Sequence, residues 1–357
     1  MRQYHFAIPL LALAALALTH ALSELWPAAS LGLRVVMLIL AVISSLHHAE
    51  VIAHRTGEPL GTLILALSVT VIEVALILSF MLSDNASNVT LARDTLFAAI
   101  MIICNGVVGL CLLLGGLRHR EQVFRVQGVG PALAALIALS TLTLVLPTFT
   151  TSSPEGTYTA SQLIFVAITS LALWCAFTFF QTVRHRDYFL PQGDIENTDV
   201  HAEPPSWSRA NMSLVALLAC LVAVVGLAKQ LSPLIELTIG MWGAPQTMVG
   251  IVIALLVLMP ETLAALRAAK ANRLQTSLNL ALGSALATIG LTIPAVAVTA
   301  VALGLPLTLG LEPKDLVLLF LTFMVGGMTL AHGRTSMMQG AVHLVIFASF
   351  LFLALVP

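Results

Sequence analysis

The chain has 357 residues, of which 59% are hydrophobic and 9% are charged, and its mean hydropathy is +0.99. Soluble domains carry roughly 25% charged residues, so this composition excludes an ordinary soluble protein and predicts an all-α polytopic membrane protein. The formal net charge of -1 gives no electrostatic argument for a nucleic-acid partner.

Eleven apolar windows follow one another along the chain, and a span of roughly 20 such residues crosses a bilayer as a helix. They cover residues 6–22, 33–53, 60–82, 94–117, 130–149, 160–183, 210–230, 245–267, 275–303, 314–331 and 336–356. The first window has a second interpretation, because Arg2 precedes an apolar core and Ala21-Leu22-Ser23 resembles a signal-peptide cleavage site.

The basic residues are distributed unequally between alternate loops. With the N-terminus in the cytoplasm, four basic residues face outside, namely Arg34, Arg93, Lys229 and Lys314. The cytoplasmic set is Arg2, Arg55, Arg118, Arg120, Arg125, Arg184, Arg186, Arg209, Arg267, Lys270, Arg273 and Arg334. Cytoplasmic loops carry the excess of Lys and Arg, so we predict a cytoplasmic N-terminus and a periplasmic C-terminus.

A polar segment at 184–209, rich in acids and Pro, is predicted to be a cytoplasmic linker. With residues 1–28 assigned to a leading transmembrane helix, five helices remain on each side of it. We therefore predict two five-helix repeats at 29–183 and 210–357. Because five is odd, the two repeats enter the membrane with opposite orientation, as in many secondary transporters.

Two apolar spans carry an acid each. Glu73 lies near the middle of residues 59–82, and Glu261 lies late in residues 250–266. An ionised acid at a bilayer centre costs roughly 2.5 to 3.5 kcal/mol on insertion scales. Each acid lies on the second helix of its repeat, so we expect the two to meet near the midplane and to hold either protons or a cation. This pattern predicts a cation/proton antiporter.

Neighbouring positions offer further oxygen ligands. Thr70 precedes Glu73 by three residues and shares its helix face, while Asn105 and Ser284 lie on the helices that follow each acid. Pro260 lacks an N–H, which frees the backbone carbonyl of Leu256 as a further ligand. Each feature also has a structural interpretation: hydroxyls bonding back to their own helix, polar contacts between helices, and a packing kink.

A second polar cluster, His47, His48, Glu50 and His54, lies at the end of the second window. Imidazole and carboxylate groups at this spacing bind a transition metal or relay protons, whereas a solvated helix end is the simpler interpretation. We assign Glu50 and His48 as candidates for cation access or proton relay.

Five stretches of the sequence resemble one known family. They are LHHAEVIAHRTGEPLG, LLLGGLRHREQVF, FFQTVRH, PETLAALRAAKANRLQTSLNLALGSA and VGGMTLAHGRTSMMQGAVHL. Together they resemble the calcium/proton exchanger branch of the cation/calcium exchanger superfamily, from about residue 33 onward. The resemblance implies a leading helix with two inverted five-helix repeats and a bacterial inner-membrane location.

The family signature in each half is Gly-Asn-Ala-x-Glu, whose acid alternately carries a cation and a proton. The resemblance places Glu73 and Glu261 at these acids, and it also matches Asn105 and Ser284. Thr70 and Leu258 stand where the family has asparagine. This departure leaves Na⁺ and K⁺ open beside Ca²⁺.

We therefore expect a secondary antiporter that exports Ca²⁺, Na⁺ or K⁺ against protons by alternating access, without a resident cofactor. Its expected partners are inorganic cations, protons and the lipid bilayer. Two alternatives remain: an intramembrane metal-dependent enzyme built on His47, His48, Glu50 and His54, and a cation channel or Na⁺-driven carrier. The first lacks the His-Glu-x-x-His pair of zinc hydrolases.

Overall fold

The computed structural model describes residues 4–25, 27–56, 60–81, 89–153, 156–190, 205–241, 245 and 247–356. The chain forms two compact units. The first comprises Met1–Asn88 and Val200–Val249, and the second comprises Val89–Asp199 and Gly250–Pro357. Each unit takes helices from both predicted repeats, so this division by contacts differs from the division by sequence, which stays a prediction.

Four long helices make up the described part of the first unit. They are α1 (Tyr4–Leu25), α2 (Pro27–Thr56), α3 (Leu60–Met81) and α9 (Trp207–Met241). Helix α2 packs against each of the other three. Ala49 and Ile52 of α2 bury against Leu217 of α9, so α2 supplies part of the apolar core of this unit.

The second unit is built around α11, which packs against α8, α6 and α5. Its α-helices are α4 (Leu91–Met101), α5 (Val108–His119), α6 (Val126–Ser140), α7 (Leu146–Phe149), α8 (Ala160–Phe179), α10 (Thr247–Lys270, from Gly250 onward), α11 (Leu274–Leu303), α12 (Pro313–Leu330) and α13 (Met337–Leu355). A 3₁₀ turn, Arg186–Phe189, follows α8.

Each apolar window of the sequence coincides with one helix or with consecutive helical segments. Among the described residues, eight helices are long and apolar enough to cross a membrane, or nine when α10, which is bent, is counted as one span. The all-α polytopic fold is confirmed, and the count of eleven spans stays a prediction.

The helices are interrupted at defined places. Wide π-helical turns occur at Ile102–Val107, Thr141–Val145 and Phe180–Arg184, and such turns are frequent at functional sites. Helix α10 bends by 55° between Met259 and Glu261. The bend falls at Pro260, where the missing N–H interrupts the helical ladder.

A small β-ribbon joins loops that are distant in the sequence. Strand β1 (Glu121–Val123) pairs antiparallel with β2 (Arg334–Ser336), with Gln122 opposite Thr335. The Gln122 amide donates to the carbonyl of Ala269 at 2.9 Å. The ribbon therefore holds the ends of α5, α10 and α12 together.

Local capping sets the bounds of several helices. Thr159 and Gln162 form a reciprocal capping box at the start of α8, and Ser336 and Gln339 form one at the start of α13. Helix α11 ends at Gly304, whose φ of 64° is the left-handed conformation that glycine adopts without strain.

Candidate functional site

Glu73 is buried in the first unit. Its exposed fraction is 3%, and two polar neighbours on α3, Ser68 and Thr70, are 8% and 6% exposed. Thr70 precedes Glu73 by three residues and therefore shares its helix face. Val71, on another face, is 46% exposed. Glu73 and Thr70 are thus buried on a shared face of α3, whereas Val71 is exposed.

Glu261 is half-buried and directly follows the bend of α10. Leu258 beside it is 2% exposed, and the Thr262 hydroxyl donates to the Leu258 carbonyl at 2.7 Å. The bend agrees with the interruption expected from Pro260. The side chains of Leu256 and Pro260 lie outside the described set, and the Leu256 carbonyl stays a predicted ligand.

Glu73 belongs to the first unit and Glu261 to the second. Their expected meeting near the bilayer midplane stays a prediction. Each acid nevertheless lies within a long apolar helix of its own unit.

Ser284 is half-buried on α11. A Cβ atom added at the preceding Gly283 would meet no heavy atom within 4 Å. Open space therefore lies beside Gly283, one residue before Ser284.

Asn105 is completely buried in the π-helical turn between α4 and α5. Its Nδ2 donates to Thr322 Oγ1 at 2.8 Å, and its Oδ1 lies 3.0 Å from His343 Nδ1. Since the amide nitrogen donates, the amide oxygen accepts, which assigns the proton to Nδ1 of His343. His343 Nε2 then accepts from Thr329 Oγ1 at 3.1 Å.

This network engages both the nitrogen and the oxygen of the Asn105 amide. A carbonyl oxygen has two lone pairs, and His343 uses one of them. Asn105 can therefore serve a cation only through the remaining lone pair. His343, Thr322 and Thr329 were not among the predicted site residues; the one signal in the sequence is a polar residue inside an apolar span.

His47, His48, Glu50 and His54 do not gather at one point. His48 is completely buried, with its ring centroid 5.0 Å from that of Phe6, whereas Glu50 and His54 are exposed. Positions 48 and 50 lie about 200° apart around a helix. Within the part of the chain that the structure describes, no group of three or more His, Cys, Asp or Glu is arranged to hold a metal ion.

A buried ion pair lies at the beginning of α4. Arg93 Nε is 2.8 Å from Asp94 Oδ1, and the two side chains are 8% and 6% exposed. Arg93 Nη1 also donates to the Gly310 carbonyl at 3.1 Å, and Nη2 is 3.7 Å from Glu312. This cluster ties the start of α4 to the segment that precedes α12.

Exposed basic residues collect around the β-ribbon. The ribbon follows the end of α12, whereas the Arg93 cluster lies near its beginning. His119 Nε2 is 3.0 Å from the Lys270 carbonyl there. The exposed set is Arg118, Arg120, Arg184, Arg186, Arg267, Lys270, Arg273 and Arg334. This distribution agrees with the predicted cytoplasmic side, while the orientation of the termini stays a prediction.

Comparisons with known proteins agree with this architecture. The family model described as sodium/calcium exchanger protein matches residues 26–183 and 212–356. An ionic transporter of Sinorhizobium fredii is 48% identical over 97% of this chain and 93% of its own length. The sodium-potassium/proton antiporter ChaA of Escherichia coli is 36% identical over 89% of this chain and 87% of its own.

The fold is also that of a solved structure. Native YfkE superposes with a TM-score of 0.74 at 18% identity, covering 98% of this chain and all of its own. A second structure of YfkE, with selenium substitution, names it a Ca²⁺/H⁺ antiporter. The relatives are named as transporters and antiporters, so the alternative of an enzyme is excluded. This chain therefore belongs to the sodium/calcium exchanger protein family and is a multi-pass membrane transporter.

Proposed function

We propose that this protein is a cation/proton antiporter of a bacterial inner membrane, in which Glu73 and Glu261 alternately hold protons and a cation. The name of the Escherichia coli relative specifies sodium, potassium and protons, and that of YfkE specifies calcium and protons. Export by alternating access follows from the inverted-repeat architecture expected for the chain.

The observation that carries the proposal is the burial of Glu73 in an apolar helix. Its side chain is 3% exposed, between Ile72 at 4% and Leu76 at 2%. An ionised carboxylate in such surroundings is costly, and a proton or a bound cation removes that cost. A carboxylate that holds a proton does not bind the cation, and one that binds the cation does not hold the proton. This competition couples cation transport to proton transport.

The oxygen ligands around the acids bear on the choice of cation. Ca²⁺ takes about six to eight oxygens. Beyond the two carboxylates, the candidates are the hydroxyls of Thr70 and Ser284, the Leu256 carbonyl and the remaining lone pair of Asn105. Leu258 supplies none, since it is an apolar residue that is 2% exposed. A site with few neutral oxygens favours transport of Na⁺ or K⁺ alongside Ca²⁺.

The charge balance separates modes of exchange. Moving one net charge across 100 mV involves about 2.3 kcal/mol. Exchange of one Ca²⁺ for two protons, or of one Na⁺ for one proton, is independent of the membrane potential. Exchange of one Ca²⁺ for one proton is opposed by an inside-negative potential during export.

Glu50 is suited to cation access, because it is exposed near the C-terminal end of α2. A carboxylate at that place attracts cations from the aqueous phase. His48 is buried on another face of the helix. Its role in proton relay stays a proposal that depends on the same exchange activity.

Removing either intramembrane charge tests the proposal. In inverted membrane vesicles, Glu73→Gln and Glu261→Gln should each abolish the dissipation of a pH gradient by added Ca²⁺, Na⁺ or K⁺. The matched control is Glu121→Gln, which neutralises an exposed acid of β1 and should retain wild-type activity. Full activity in either intramembrane variant would end the assignment.

A further inference from the structure

We propose that His343 is a positioning residue for transport: it fixes the Asn105 amide, and the π-helical turn that carries it, in one orientation without contacting the ion. The proposal rests on the proposed function, because it concerns a candidate ligand of the same site. His343 lies 238 residues beyond Asn105 in the sequence and contacts it across two helices.

Close packing of α5 against α13 brings His343 to this place. A Cβ atom at Gly340 would lie 2.7 Å from the Gly109 carbonyl oxygen, and one at Gly116 would lie 2.5 Å from the Met337 nitrogen. A Cβ at Gly109 would lie 3.0 Å from Cβ of His343 itself. Small residues let membrane helices approach at backbone distance, so the imidazole reaches into the wide turn of the neighbouring helix.

Two opposite contacts fix the amide. His343 Nδ1 donates to Oδ1 of Asn105 at 3.0 Å, and Nδ2 of Asn105 donates to Thr322 Oγ1 at 2.8 Å. The Thr322 hydroxyl is oriented in turn by the Leu318 carbonyl at 2.7 Å. The Thr322 hydroxyl proton is directed at Leu318, so an amide rotated by 180° would bring its oxygen against the Thr322 oxygen without a proton between them. The second lone pair of Oδ1 therefore keeps a fixed direction.

The His343 ring is itself held from the far side. Thr329 Oγ1 lies 3.1 Å from Nε2, and the exposed fractions of His343 and Thr329 are 1% and 5%. Thr322 and Thr329 are seven residues apart on α12 and therefore lie on the same helix face. Helix α12 thus holds both ends of the chain of hydrogen bonds, from Thr322 through Asn105 and His343 to Thr329.

A purely structural role predicts a different result from a positioning role. Structural loss lowers the amount or the melting temperature of the protein and leaves its apparent cation affinity unchanged. A positioning role raises the cation concentration for half-maximal exchange and does so only while Asn105 is present.

The experiment compares four proteins in the vesicle assay with a range of cation concentrations. One hydrogen bond to a buried group corresponds to about a tenfold change in an equilibrium constant, so His343→Leu should raise the half-saturating concentration about tenfold with little change in maximal rate. His343→Asn retains an N–H donor near the Nδ1 position and should restore most of the affinity. Ser349→Ala, whose hydroxyl bonds only the Val345 carbonyl of its own helix, should match wild type.

A double variant assigns the effect to Asn105. The double variant Asn105→Ala/His343→Leu should have the same half-saturating cation concentration as Asn105→Ala alone. Once the Asn105 amide is removed, His343 has no amide left to position. The proposal would be overturned if the double variant showed the product of the two single-variant increases in half-saturating concentration. Wild-type affinity in His343→Leu would also overturn it. If His343→Leu does not yield monodisperse protein, Thr329→Val replaces it and should shift the affinity in the same direction by about threefold; no shift would count against the proposal.

This result is distinguishable from failure of the proposed function. If Glu73→Gln and Glu261→Gln retain exchange, the antiport mechanism fails regardless of His343. If both lose exchange and His343→Leu keeps wild-type affinity, only the positioning role fails.

Discussion

Buried acids in this protein occur in two different settings. Asp94 accepts from Arg93 at 2.8 Å and from Thr90 at 3.0 Å, so its burial is explained by partners within its own helix end. Glu73 lies instead within the apolar stretch of α3, at 3% exposure. The pairing of Asp94 with Arg93 makes that acid part of the packing at the start of α4.

The buried Arg93–Asp94 pair predicts how replacing Arg93 changes stability. Arg93→Met removes the charge that compensates Asp94 and keeps most of the aliphatic stem. Breaking a buried pair by removing one partner costs about 3 to 5 kcal/mol, so the free energy of unfolding in detergent should fall by roughly that amount. Chemical denaturation followed by tryptophan fluorescence measures the change.

Two further variants control this prediction. Arg93→Met with Asp94→Leu replaces both partners and should recover most of the stability. Lys314→Met removes a more exposed partner of Glu312, at 3.7 Å, and should cost less than about 1 kcal/mol. An equal loss in the Lys314 and Arg93 variants would show that burial does not decide the strength of this cluster.

At the scale of helices, the approach of α5 to α13 is the contact on which the Asn105 network depends. Gly340→Ala places a methyl group 2.7 Å from the Gly109 carbonyl and still closer to the Leu113 nitrogen. Both are backbone atoms, so the helices must move apart. We expect a lower melting temperature and a higher half-saturating cation concentration, measured on the same purified protein.

Gly327→Ala is the matched control for this prediction. A Cβ atom at Gly327 of α12 would meet no heavy atom within 4 Å, and alanine also removes backbone freedom from the unfolded chain. This variant should equal wild type in transport and be at least as stable. Wild-type stability and affinity in Gly340→Ala would contradict the packing described for α5 and α13.

The sequence predicted the helices well and their interruptions only in part. Each apolar window found by hydropathy coincides with a helix or with consecutive helical segments. Pro260 predicted the interruption that appears as a 55° bend in α10. The π-helical turn at Ile102–Val107 contains no proline, so composition gives no local signal for it. Its neighbours include Phe347 and His343, which lie far along the sequence and outside any local window.

The candidate site shows the same limit. Glu73 and Glu261 are visible in the sequence because a charge in an apolar span is costly wherever it packs. The partners of Asn105 are not visible, because Thr322 and His343 are 217 and 238 residues away. Hydrogen bonds at such separations follow from the tertiary arrangement of helices rather than from local periodicity.

At the scale of the whole molecule, the family model matches residues 26–183 and 212–356 and leaves out the stretch between them. That stretch contains the predicted linker at 184–209. Each matched segment contains one of the two candidate acids, Glu73 on α3 and Glu261 on α10. The two matched segments and their candidate acids therefore support the account proposed above, in which a cation and protons compete for the carboxylates of Glu73 and Glu261.

Counterflow in proteoliposomes of purified protein tests this account most directly. With an outward-directed cation gradient and no imposed voltage, wild-type protein should drive protons into the lumen, and acidification should cease when Glu73 or Glu261 is replaced by Gln. An imposed pH gradient should conversely accumulate Ca²⁺, Na⁺ or K⁺ above equilibrium. Cation flux without any opposing proton movement, or unchanged exchange in both glutamine variants, would contradict the account.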